Sequence, residues 1–136
     1  MSSSLVKAVM ARADLTAAAL SGTAHLMEAA GAALPYMTVV PLDGSPQDFA
    51  TDKSFTDVRP VLFNWYTTTA ALAWAAVHAI EAAFTASPLA LDSGDCFGAF
   101  PGASNAELDP NRETDGKEVW HGLLVMEFSV RRSPGS

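Results

Sequence analysis

Basic side chains, cysteine, glycine-rich loops and long apolar runs are all scarce in this chain, and each scarcity closes off a class of function. Eight lysines and arginines stand against fifteen aspartates and glutamates, a formal charge of −7. That balance supplies no basic stripe to neutralise a phosphate backbone through counterion release, so direct nucleic-acid binding is not expected. An acidic surface still has a use near DNA, because like charge keeps DNA from adhering to a wall it slides past. Cys96 is the single cysteine, which excludes an intramolecular disulfide and a four-cysteine zinc site and makes a reducing cytoplasm the expected compartment. The N-terminus shows no basic region leading into a long apolar run, so no secretory signal is expected. Residues 68–84 come nearest to a membrane span, but they are mainly alanine, include His78 and Glu81, and fall short of the ~20 apolar residues a bilayer requires.

What is present points to a folded domain. Of 136 residues, 49% are hydrophobic and only 17% are charged, which excludes an intrinsically disordered chain. A chain of this length builds one core, so residues 1–136 are expected to form a single domain, with 132–136 as a frayed tail.

Periodicity sets out the elements. Ser2, Ser3 and Ser4 are placed to cap a helix in which Leu5, Val9 and Ala13 recur at helical spacing and which Gly22 ends. Residues 25–27 read as a short strand and 29–34 as a small-residue loop. Tyr36, Met37, Thr38, Val39 and Val40 read as a strand bounded by prolines. Residues 43–46 make a turn, and 48–54 an exposed hairpin tip or loop. A long strand spans 55–66, with Pro60 requiring an edge or a bulge. Thr67 is the expected N-cap of an alanine-rich helix over 70–86, which Pro88 stops. Its core stripe is Ala73, Val77, Ile80 and Phe84, and Ala71, Ala75, Ala79 and Ala82 line the opposite face. Residues 96–100 read as a strand and 101–116, rich in proline, glycine and charge, as an exposed loop. A final strand over 119–131 has Trp120, Leu124, Met126, Phe128 and Val130 facing the core and His121, Glu127, Ser129 and Arg131 facing away. Segregated helices and strands predict an α+β fold, an antiparallel or mixed sheet with an N-terminal helix and one long helix packed on one face.

Catalytic signatures are missing: there is no phosphate loop, no Gly-x-Gly-x-x-Gly, no Gly-x-Ser-x-Gly and no His-Glu-x-x-His. His78 and Glu81, three apart on one helix flank, have a spacing that presents two metal ligands together, and define the alternative of a small metal- or ligand-binding domain. A hydrogen-bonding surface pair accounts for them as well. Cys96 with a histidine is a minimal nucleophile and base, with an inert buried thiol as the ordinary reading. The acidic stretch with Glu107, Asp109, Asn111, Glu113, Asp115 and Glu118 partly follows a calcium loop, but Thr114 stands in the glycine position and Trp120 in that of the closing glutamate. No catalytic residue, metal ligand or cofactor is assigned. The alanine back of the long helix is different: a solvated back carries lysine and glutamate, whereas a smooth one suits close packing against a helix or another subunit.

A Pro-Tyr strand (Pro35 to Val40) follows an N-terminal helix. A polar hairpin then precedes a long strand that runs directly into the alanine-rich helix, and near the end comes Glu118, Val119, Trp120, His121, Gly122. In this order of elements the chain resembles the tail terminator, or tail completion, proteins of long-tailed bacteriophages and related gene transfer particles, over nearly its whole length. The resemblance implies a non-enzymatic virion protein of the tail or neck, assembled in the host cytoplasm. Six copies would form a ring that caps the tail tube, ends its polymerisation and offers the head-attachment surface. The implied partners are further copies of this chain, the tail tube protein and head-tail connector proteins; DNA passes through without specific binding, and no membrane is involved. A head-tail connector or tail-to-head joining protein is the neighbouring alternative. On this reading Ala71, Trp74, Ala75, His78, Ala79 and Ala82 form a subunit interface. Asp48, Asp52 and Lys53, or Glu107, Asp109, Glu113 and Asp115, lie on docking loops.

Overall fold

The computed structural model describes residues 2–28, 32–42, 45–48, 55–91, 95–114 and 117–132. Along the chain these form α1 (Ser2–Ala19), β1 (Thr23–Leu26), β2 (Tyr36–Pro41), β3 (Ser45–Asp48), β4 (Phe55–Thr67), α2 (Ala70–Thr85), β5 (Asp95–Thr114) and β6 (Lys117–Arg132). Six strands make one sheet in the order β1-β2-β4-β6-β5, with β3 pairing to β4. Among the described residues only β1 and β2 pair in parallel and the other pairs are antiparallel, so the sheet is mixed.

Both helices cover the same face of this sheet. Leu5, Val9, Ala13 and Ala17 recur every four residues along α1 and are buried, as are Ala73, Ala76, Val77, Ile80 and Phe84 of α2. They join Met37, Val39, Phe63, Trp65, Leu124, Met126 and Phe128 in one cluster. Phe84 lies 4.9 Å from Phe63 and 5.6 Å from Phe128, ring centroid to ring centroid, which pins the end of α2 to the middle of the sheet. The expected α+β fold with helices on one face is what the chain adopts.

The ends of the helices differ from expectation in instructive ways. Ser3 and Ser4 lie inside α1 rather than ahead of it. At the other end, Ser21 takes the left-handed conformation (φ 62°), with Gly22 N donating to Ala17 O at 2.8 Å and Ser21 N to Ala18 O at 3.1 Å. This is the double hydrogen-bond closure of a Schellman motif, made by a serine. Gly22 is required for space instead: a Cβ there would stand 2.7 Å from both Pro35 O and the Trp65 ring. Thr67 is the buried last residue of β4, and the N-cap of α2 is Thr69, whose hydroxyl accepts from Leu72 N at 3.2 Å. β1 begins at Thr23, and Met27, expected in that strand, lies beyond it with φ 71°.

Pro60 sits within β4 opposite Glu127 of β6. Its carbonyl accepts from Leu42 N, so its missing donor faces the same side, at the step where β2 ends opposite Val61 and β3 begins opposite Val58. The larger correction concerns residues 101–116, expected as a loop: β5 continues through them to Thr114. Among the described residues β5 pairs only with β6, and its register slips between Cys96 and Gly98, Pro101 and Ser104, and Asp109 and Glu113. An edge strand tolerates proline, and bulges absorb Pro101, Gly102 and Pro110, so turn-forming composition does not break it. Arg132, expected in the tail, still pairs with Phe55.

Candidate functional site: the outer face of the helix pair

α2 carries a single carboxylate, Glu81, in sixteen residues, because alanine fills its surface turns. Gly122 lets it lie close on the sheet, since a Cβ there would stand 2.9 Å from Ala73 O. Burying Ala73, Ala76, Val77, Ile80 and Phe84 turns the rest of the helix outward. Ala71, Ala75, Ala82 and His78 are exposed and Trp74 keeps 40% of its surface, whereas Ala79 is half-buried. The reason for Ala79 is α1. An open groove of about 570 Å³ runs between the helices, lined by Arg12, Leu15, Thr16 and Ala19 from α1 and by Ala79, Ala82 and Ala83 from α2. Leu15 stands on its rim, 74% exposed.

Arg12 locks the two helices together at this groove. Its guanidinium donates to Ser87 O at 2.7 Å, Ala83 O at 3.2 Å and Pro88 O at 3.4 Å, and lies 5.8 Å from the centre of the Phe84 ring. A cation is thereby set on the carbonyl end of α2, where the helix dipole favours it. On the other flank of α2, the Trp74 and His78 rings stack with centroids 5.9 Å apart. Six expected interface residues thus divide between a flank with Trp74 and His78, an outer line of Ala71 and Ala75, and a groove with Ala79 and Ala82.

The expected docking loops fare differently. Asp48 is the last residue of β3, opposite Phe55, while Asp52, Lys53 and Asp115 lie outside the described residues. Glu107, Asp109 and Glu113 are strand residues of β5, opposite His121, Val119 and Glu118 respectively, not loop residues. With Glu118 they make the turn end of the β5–β6 hairpin acidic in composition, with Arg112 and Lys117 interspersed.

The three histidines have separate neighbours. His78 stacks on Trp74, His25 pairs with Thr23 Oγ1 at 2.9 Å, and His121 Nε2 meets Asn64 Oδ1 at 2.6 Å. Cys96 is buried, its thiol 3.6 Å from Gly98 O. Among the described residues no three histidine, cysteine, aspartate or glutamate side chains come together to hold a metal ion, and no helix is long and apolar enough to cross a membrane.

The sheet face away from the helices holds what sequence reasoning missed. Tyr36, Tyr66 and His121 are successive register partners on β2, β4 and β6, with ring centroids 4.9 and 4.7 Å apart. His25 adds an edge contact to Tyr36 at 6.4 Å. One step along, buried Asn64 donates to Thr38 Oγ1 at 3.2 Å and accepts from His121, tying three strands together. Tyr36, Tyr66 and Val119 form a second small core there, with Ala32 and Leu34 packed against it.

No protein-family model matches this chain, and no curated protein is similar enough to match. Among solved structures, a chain of the virion of a native gene transfer agent particle is similar over 96% of both chains, with a TM-score of 0.74 and 25% sequence identity.

Proposed function

We propose that this chain is a structural subunit of a phage-like virion, and more narrowly a tail terminator whose copies form a ring, a hexamer, that caps the tail tube and receives the head. The observation that carries the virion role is the likeness, end to end, to a chain of a gene transfer agent virion. The narrower reading draws on the order of elements and on the exposed, charge-poor outer face of α2, which suits a subunit boundary. In it the whole chain acts as one domain, performs no catalysis, and works in the virion neck after assembly in the host cytoplasm. Its partners are further copies, the tail tube protein and connector proteins, and the acidic end of the β5–β6 hairpin belongs on a surface that DNA passes without adhering. A head-tail connector is the neighbouring role within the same virion reading. Native mass spectrometry across a concentration series tests this: a metal-free hexamer is expected, and a monomer carrying stoichiometric metal would replace it with the His78–Glu81 binding alternative.

A further inference from the structure

Resting on the ring reading, we propose which two surfaces meet between neighbouring copies: the Trp74–His78 flank of one copy seats in the α1–α2 groove of the next. The occupant of the groove is a second copy of this chain. Trp74 and His78 already stack, so the indole is ordered before contact and loses little rotamer freedom on burial, and tryptophan is a favoured anchor of protein interfaces. The groove has the matching form. Its floor is made of small residues, Thr16, Ala79 and Ala82, and exposed Leu15 supplies an apolar wall.

Charge selects the partner. Glu81 lies on the flank one helical turn beyond His78 and two beyond Trp74, giving it one negative charge, while Arg12 gives the groove one positive charge. Among the described residues, the groups that hold Arg12 are the carbonyls of Ala83, Ser87 and Pro88, the Ser87 hydroxyl and the Phe84 ring, all neutral, so its charge is complementary to an incoming carboxylate. In a chain of net charge −7, copies repel over most of their surface, and this pairing of flank and groove is one place where they attract. Trp74 stands about 140° around α2 from Ala79, so one copy displays both surfaces at once. Two different patches make the contact head-to-tail, the type that closes into rings.

The test is complementation between two variants followed by native mass spectrometry. Leu15→Glu replaces the apolar wall of the groove with a carboxylate beside Arg12 but keeps the flank; Trp74→Glu removes the anchor but keeps the groove. Each variant alone is expected to lose the wild-type oligomer, whereas a one-to-one mixture forms a heterodimer and stops there, because only one flank–groove pair remains usable. A mixture that stays monomeric, or either variant assembling like wild type, overturns the pairing while the ring reading stands. Wild-type protein that is monomeric at every concentration overturns both. Circular dichroism checks that each variant folds, and Leu15→Gln and Trp74→Gln serve in place of any that does not.

Discussion

Gly22 has no room for a side chain, since Pro35 O and the Trp65 ring both lie 2.7 Å from where its Cβ would be. One of those neighbours is backbone and the other a buried indole, so neither gives way cheaply. Gly22→Ala is therefore expected to lower stability by about 1–3 kcal/mol, the usual cost of overpacking, read from a denaturant midpoint; an unchanged midpoint would mean that Trp65 swings aside freely. The sequence marks Gly22 as special without revealing why. A helix end was the local reading, and the true cause is a contact with residues 13 and 43 positions further on, which no local pattern encodes. Asn64 and His121 were obscure for the same reason: their hydrogen bond depends on strand register between segments 57 residues apart.

Arg12 shows how one side chain organises two elements. From the middle of α1 it holds Ala83 O in the last turn of α2 and Ser87 O just past the helix, so it fastens both helices at the C-terminal end of α2. Arg12→Met keeps the apolar stem and removes the hydrogen bonds and the charge, and should cost about 1–2 kcal/mol, seen as a lower midpoint with unchanged denaturant slope. Unaltered stability would mean that helix packing alone suffices. α2 itself was legible down to its buried stripe because Ala73, Val77, Ile80 and Phe84 repeat at helical spacing and alanine favours helix. β5 was not, because Pro101, Gly102 and Pro110 look like a loop to any local reading. Only an edge position, paired on one side, makes them compatible with a strand, and edge position is a property of the sheet. The interface candidates were legible as a face of α2, whereas the groove that divides them needs α1 in place.

Across the whole molecule, the ring proposed above would set the acidic end of the β5–β6 hairpin and the charge-poor back of α2 against different neighbours. Ala75 lies on the exposed line between flank and groove. Ala75→Glu should leave the melting temperature nearly unchanged and abolish the oligomer in a sedimentation experiment; normal assembly by the folded variant would remove this helix face from the interface. The β5 margin matters on the same scale. On the virion reading, copies accumulate before a particle exists and collide with one another, and a straight twenty-residue border would invite strand upon strand to stack into fibres. The register slips and prolines along that border would let such collisions end without adhesion, keeping the stockpile usable as spare parts.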